Sequence, residues 1–227
     1  MNVEYRDLGL IDYKEAWDIQ EELFDKLTSA KSGKAEQQGV SNYLLFCEHP
    51  HVYTLGKSGH ESNLLIPDVL LQRINAKFYR INRGGDITYH GPGQIVGYPI
   101  FDLEAIGIGI KEYIHRLEEA IIQTLADFGI EATRLDGATG VWLDVDKGLA
   151  ARKICAIGVR ASRYVTMHGF ALNVNTDLSY FTHINPCGFV DKGVTSFQKE
   201  LQAPQDIEAV KKVLLGKLTA LFGLSLV

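Results

Sequence analysis

Three cysteines in 227 residues, Cys47, Cys155 and Cys187, are few and widely spaced. No C-x-x-C pair exists, so neither a zinc site nor a redox dithiol is favoured, and reduced thiols are expected. No apolar run approaches the ~18 residues of a membrane span. Met1 to Trp17 carries Glu4, Asp7, Asp12 and Glu15 and lacks an apolar signal core, so a cytoplasmic location is expected. Positive charge is not in excess: the net charge is −5, which argues against general nucleic-acid binding. There is no internal repeat and no low-complexity tract. The phosphate-loop ending Gly-Lys-Ser/Thr, the dinucleotide fingerprint and the G-x-S-x-G elbow are all missing. His49 and His51 alternate across a proline turn, and His90, His168 and His183 stand alone, so no metal site is indicated.

What is present is an ordinary globular composition, 46% hydrophobic and 22% charged. The length suits one domain over 1–227 with a substantial core. Strands are expected over Val3–Leu8, Tyr43–Glu48, Val52–Gly56, Lys77–Asn82, Ile87–Tyr89, Gln94–Phe101, Thr139–Asp144, Lys153–Arg160 and Val165–Val174. Asp12 with Glu15 resembles a capping box for a helix running to about Thr28, and Ser29 to Gly39 reads as an exposed loop. Ile110, Ile114, Leu117, Ile121, Leu125 and Phe128 mark one face of a long helix, with Gly129 as its stop. A C-terminal helix, about 204–222, is expected with Pro204 in its first turn and a stripe of Ile207, Val210, Leu214, Leu218 and Leu221. Helices at both ends and in the middle, with strands grouped between, predict an α+β or mixed α/β fold.

Two stretches are basic. Lys147 to Thr176 holds Lys147, Arg152, Lys153, Arg160 and Arg163 without an acid, and Val69 to Gly85 holds Arg73, Lys77, Arg80 and Arg83 without one. Such a surface attracts an acidic or phosphate-bearing partner, unless the charges are simply solvated.

Cys187 sits in Asn185-Pro186-Cys187-Gly188, a stiff bend that exposes a thiol. Such a thiol is a candidate nucleophile. Lys153 offers a cation that favours thiolate and a group that can carry a proton. Cys155 is a rival: two residues beyond Lys153 on an expected strand, it would share that lysine's face. Its apolar neighbours Ile154 and Ile157 favour a core role instead. Cys47 reads as core. The densest cluster runs Arg83-Gly84-Gly85-Asp86-Ile87-Thr88-Tyr89-His90-Gly91-Pro92-Gly93-Gln94. Its paired glycines permit close backbone approach to a ligand, or simply a hairpin.

These pieces, with Glu48-His49-Pro50, Val52-Tyr53-Thr54-Leu55-Gly56, Gly140-Val141-Trp142, Gly158-Val159-Arg160, His168-Gly169-Phe170-Ala171-Leu172-Asn173 and Ile184-Asn185, stand in the order found in octanoyltransferases. The chain resembles that family over a motif core of about 43–190. The resemblance implies the catalytic-domain fold of lipoate and biotin-protein ligases, with mixed sheets flanked by helices. It implies transfer of octanoyl from octanoyl-acyl carrier protein to Cys187, then to a lysine of apo lipoyl domains or glycine-cleavage H protein. Lys153 would be the acid/base partner, and no cofactor, metal, nucleic acid or membrane is called for. The acyl-binding pieces map to Arg83, Gly84, Gly85, Asp86, Ile87, Thr88, Tyr89 and His90, to Ala156, Ile157 and Gly158, and to Gly169, Phe170 and Ala171. Backbone amides of Gly169 to Ala171 would serve the oxyanion. The family often has serine where this chain has Ala156, so only backbone groups can serve there. The competing expectations are an ATP-dependent lipoate or biotin ligase, a cysteine thioesterase, and an inactive carrier-binding module.

Overall fold

The computed structural model describes residues 1–32, 42–185 and 192–227. Pro186, Cys187 and Gly188, and most of the loop expected over Ser29–Gly39, lie outside the described residues.

A large mixed sheet forms the frame. Its strands are β1 (Asn2–Leu10), β2 (Asn42–Glu48), β6 (Gln94–Ile100), β7 (Thr133–Leu135), β8 (Ala138–Leu143), β9 (Arg152–Ser162), β10 (Val165–Asn173), β11 (Gly193–Val194) and β12 (Ser225–Leu226). They lie in the order β12-β1-β2-β6-β10-β9-β8-β7, with β11 paired to β9. The centre is antiparallel: β2 with β6, β6 with β10, and β10 with β9. A second sheet holds β3 (Val52–Leu55) between β4 (Lys77–Arg80) and β5 (Ile87–His90).

Alternation along each strand sorts side chains between two cores. Leu44 and Phe46 of β2, with Ile95, Val141, Cys155 and Leu172, face the helices α4 (Ile110–Asp127) and α6 (Ile207–Phe222). Tyr43, Leu45 and Cys47 of the same strand, with Val96, Tyr98 and Ala171, face α1 (Tyr13–Lys31).

The period-based expectations hold for the long elements, with ends displaced by a few residues. Asp12 caps α1 by accepting from Lys14 N at 2.9 Å. The helix continues past Thr28 to Lys31, because Ser29-Ala30-Lys31 contains no breaker. In α4 the buried stripe takes in Tyr113, while Ile110 is 38% exposed. Gly129 follows that helix with φ +79°, as its stop requires. Pro204 is not in the first turn of α6. That helix opens at Ile207, with the Asp206 carboxylate accepting from Glu208 N and Ala209 N at 3.0 and 3.3 Å. A capping carboxylate and its three-residue reach fix the start more firmly than the nearby proline does. Sequence period did not reveal the short helices α2 (Asp68–Arg73), α3 (Leu103–Ile106) and α5 (Phe197–Leu201), nor β7, β11 and β12. Each is too short to display a repeat. No helix among the described residues is long and apolar enough to cross a membrane.

Candidate active site

A cavity of about 500 Å³ opens between the large sheet and the segment that follows β4. Arg83, Gly84, Gly85, Asp86, Ile87, Thr88 and His90 line one side, and Ala156, Ile157, Gly158, Gly169, Phe170 and Ala171 another. Lys153 and Trp142 lie at the same cavity. Tyr89 does not. It is fully buried in the small sheet's own core and stacks on Tyr180 at 4.9 Å, with His51 Nδ1 2.7 Å from its hydroxyl. Alternation on β5 turns Tyr89 away from the side that Thr88 and His90 present.

The loop carrying Arg83 is seated directly on β9. Gly84 N donates to Val159 O at 2.9 Å. A Cβ at Gly158 would stand 2.9 Å from Gly84 O and 3.0 Å from Arg83 Cδ, so only glycine admits this approach. Arg83 is 8% exposed, and its Nη2 donates to Thr54 O at 2.8 Å and to Thr54 Oγ1 at 3.2 Å. It thereby ties the loop to β3. Asp86 accepts from Asn63 Nδ2 at 2.6 Å, and Asn63 O accepts from Asn185 N at 2.8 Å. The chain just before Cys187 is thus fastened to the cavity loop. The chain beyond Cys187 enters β11, which runs parallel to Arg152 and Lys153.

Lys153 and Cys155 do not share a face. The β8–β9 register shifts between Val141, opposite Cys155, and Trp142, opposite Lys153. The extra residue, Ile154, is a β-bulge, and it turns Lys153 to the side of Trp142 while Cys155 stays with Val141 in the helical core. The Lys153 ammonium lies 4.6 Å from the Trp142 ring centre, a cation–π contact. Two features support the bulge. Gly140, at φ +123°, has no room for a Cβ, which would meet Cys155 O at 2.5 Å. Its N–H donates to Glu118 Oε1 at 3.0 Å, and Arg134 Nε donates to Glu118 Oε2 at 3.0 Å. Nothing in the sequence period pointed to Glu118, a carboxylate facing inward from α4 and only 7% exposed.

The titration states narrow the roles. Cys155 is fully buried, and burial drives its thiol well above the ordinary range. The opposing effects of the Ala171 backbone and of Lys153 are smaller. Cys155 is therefore core, and the rivalry for Lys153 disappears. Burial lowers His90 to about 3, with His49 and Arg83 adding to the effect. Burial likewise lowers His168 to about 3, aided by Arg83 and Arg160. Both rings are neutral at neutral pH and hold structure: His168 Nε2 lies 2.7 Å from Asn82 Oδ1.

One further expectation changes. Over Phe170 and Ala171, β10 is paired on both sides, to β6 and to β9. Their amides are committed to the sheet, so they do not form an oxyanion site. Several cations of the basic stretches pair with acids of this chain. Arg152 Nε and Nη2 each donate to the Glu200 carboxylate at 2.7 Å, and its Nη1 pairs with Asp144. Lys77 pairs with Asp12 at 2.6 Å, and Arg80 with Glu61. Arg163 is exposed just past the end of β9, about 30 Å along the strand from Lys153 at about 3.3 Å per residue.

The large sheet with α4 and α6 on one face, and α1 beside a loop-covered cavity on the other, is the fold of lipoate and biotin-protein ligases. A lipoate protein ligase from Thermoplasma acidophilum, described with its E2 lipoyl domain, superposes with TM-score 0.72 at 16% identity, covering 100% of this chain and 86% of that one. Biotin protein ligase from Aquifex aeolicus with biotin and ATP gives TM-score 0.54 at 12% identity, covering 98% and 70%. Residues 12–219 match the lipoyl protein ligase A/B catalytic domain. The octanoyltransferase of Cytophaga hutchinsonii is 58% identical, over 98% of this chain and 93% of its own. That of Parabacteroides distasonis is also 58% identical, over 96% and 98%. The chain belongs to the lipoyl protein ligase A/B catalytic-domain family, on its octanoyltransferase branch.

Proposed function

We propose that this chain is a cytoplasmic acyltransferase of protein lipoylation that carries octanoyl as a thioester on Cys187. The donor is octanoyl-acyl carrier protein. The acceptors are lysines of apo lipoyl domains and of glycine-cleavage H protein. Near-full-length likeness to octanoyltransferases carries this reading. The cavity loop, the bulge at Lys153 and the ties on both sides of Cys187 support it.

In the first half-reaction the Cys187 thiolate attacks the thioester carbonyl. The carbon–sulfur bond to the carrier breaks, and the Lys153 ammonium protonates the departing thiolate. In the second, the acceptor amine attacks the Cys187 thioester, neutral Lys153 takes the amine proton, and Cys187 leaves as thiolate. The enzyme returns to its starting protonation. Thioester-to-thioester exchange is near balanced and thioester-to-amide transfer is downhill, so the cycle closes without ATP. The neutral, structurally engaged His90 and His168 leave Lys153 to move the proton. The octanoyl chain lies in the cavity bounded by Arg83–His90 (without Tyr89), Ala156–Gly158 and Gly169–Ala171.

Intact-protein mass spectrometry after mixing with octanoyl-acyl carrier protein tests this. One octanoyl group should be gained, be lost in Cys187→Ala, and be discharged by apo lipoyl domain. An adduct that persists in Cys187→Ala would overturn it in favour of another nucleophile, and acylation of the acceptor that requires ATP and free acid would overturn it in favour of a ligase.

A further inference from the structure

The polar groups on the cavity side of the sheet form a connected series that reaches the backbone of Lys153. On one side of β9, pairing with β10 ends at Leu172, opposite Cys155. β11 takes over that side, opposite Arg152 and Lys153. A parallel strand of two residues has little of its own to hold it. Thr195, the next residue, donates its N–H to Lys153 O at 2.9 Å. Its carbonyl in turn accepts from Asn173 Nδ2 at 3.0 Å.

Asn173 can donate to Thr195 only if its Oδ1 points the other way. Gln94 lies directly opposite Asn173 in the β6–β10 ladder. It donates Nε2 to Asn173 Oδ1 at 2.9 Å and to Tyr89 O at 3.1 Å. Gln94 is held in turn by His90, whose Nδ1 is 2.9 Å from Gln94 Oε1. The carbonyls of Tyr89 and Thr195 accept only, so they fix the direction of both carboxamides and place the proton of the neutral ring on Nδ1. None of His90, Gln94, Asn173 and Thr195 is more than 6% exposed. In such surroundings a reversed amide leaves two carbonyl oxygens facing each other.

We propose that Asn173 is a positioning residue for acyl transfer: through Thr195 it clamps β11 to the backbone of Lys153 and so fixes the strand end that aims this lysine into the cavity. The inference rests on the role of Lys153 given above. Gln94 sets the direction of the clamp, and His90 sets that of Gln94.

The test uses the full chain, with octanoyl-acyl carrier protein and apo lipoyl domain, between about pH 6 and about pH 8.5. Asn173→Asp keeps the shape and the acceptor for Gln94, but sets a carboxylate oxygen against Thr195 O. At the alkaline end kcat should fall about 30-fold, with KM for the octanoyl donor within about threefold of wild type. A carboxylate so placed has a raised pKa, and once protonated it donates to Thr195 O again. Acidification should therefore restore most of the loss relative to wild type at the same pH. Gln94→Glu turns the Asn173 carboxamide over without altering Asn173, and should give the same kcat loss and the same acid recovery. Near-UV circular dichroism at each pH establishes that the variants are folded, and if Asn173→Asp does not fold, Gln94→Glu carries the test. A folded variant with kcat within about threefold of wild type at the alkaline end, or a loss that acid does not relieve, overturns the proposal. Octanoylation of wild-type Cys187 is scored in the same runs. If wild type forms no adduct, the acyl-enzyme reading fails first. If it does, and the variants match it, only the role of Asn173 fails.

Discussion

The two faces of the large sheet are built on different physics. Against α4 and α6 the contacts are apolar, and even a thiol, Cys155, serves there as a small hydrophobe. On the opposite face an apolar core against α1 adjoins a polar series beside the cavity, in which Gln94 and Asn173 are joined by directional hydrogen bonds to His90, Thr54 and Arg83 of the neighbouring sheet and loop. The apolar packing of the first face tolerates hydrophobic residues of similar volume. The second specifies single orientations, because each buried polar group must find its one partner. β9 belongs to both, and its bulge assigns Cys155 to one and Lys153 to the other.

The sharpest way to break this division is to remove the lysine. Lys153→Ala should lower the rate of octanoyl transfer about 10³-fold in single-turnover assays, with the fold intact. Lys153→Arg separates its two duties. A guanidinium keeps the positive charge but neither gives up a proton readily nor takes one from the amine; the carrier can leave as thiolate and be protonated by water, so the acyl-enzyme should still form, more slowly, and accumulate on mass spectrometry.

Gly140→Ala attacks the bulge itself. The new Cβ meets Cys155 O at 2.5 Å in a backbone at φ +123°. A misaimed lysine should cost about 30-fold in kcat, while the octanoyl donor's KM changes little. Activity within about twofold of wild type would show that the bulge does not set the position of Lys153.

Acid should weaken the polar face selectively. His49, His90 and His168 have folded-state values of about 4, 3 and 3, lowered from 6.5 chiefly by burial. Below 6.5 the unfolded chain binds protons that the folded chain refuses. Their contribution to stability is therefore complete above that pH and is lost as the pH falls toward about 4 for His49 and about 3 for His90 and His168, by up to about 1.4 kcal/mol per pH unit for each ring. Urea melts of wild type and His168→Gln measure the slope, which should be shallower in the variant.

The smallest effect belongs to the apolar face. Cys155→Ala should cost about 1 kcal/mol of stability and leave octanoyl transfer within about twofold of wild type. A large loss of activity would return Cys155 to the reaction.

Much of this was legible beforehand, for reasons specific to particular residues. The alternation in Tyr43–Glu48 and the four-residue spacing of Leu117, Ile121 and Leu125 are local, so they show in any reading of the chain. Cys187 and Lys153 stand out as candidates by residue type and by the order of motifs around them. The side Tyr89 takes is not legible locally, because the side a strand residue faces depends on which sheet the strand joins. Arg152 looked like free surface charge because Glu200 is distant in sequence.

Local pattern along the chain sets the helices and strands long enough to show a period, the family, and the chemical types available for acyl transfer. These depend on neighbours along the chain. The tertiary structure decided which face Lys153 takes, which histidines stay neutral, which cations are already paired, and how Asn173 points. Those depend on register between distant strands, where a one-residue bulge reverses a side chain and a partner many residues away fixes its charge.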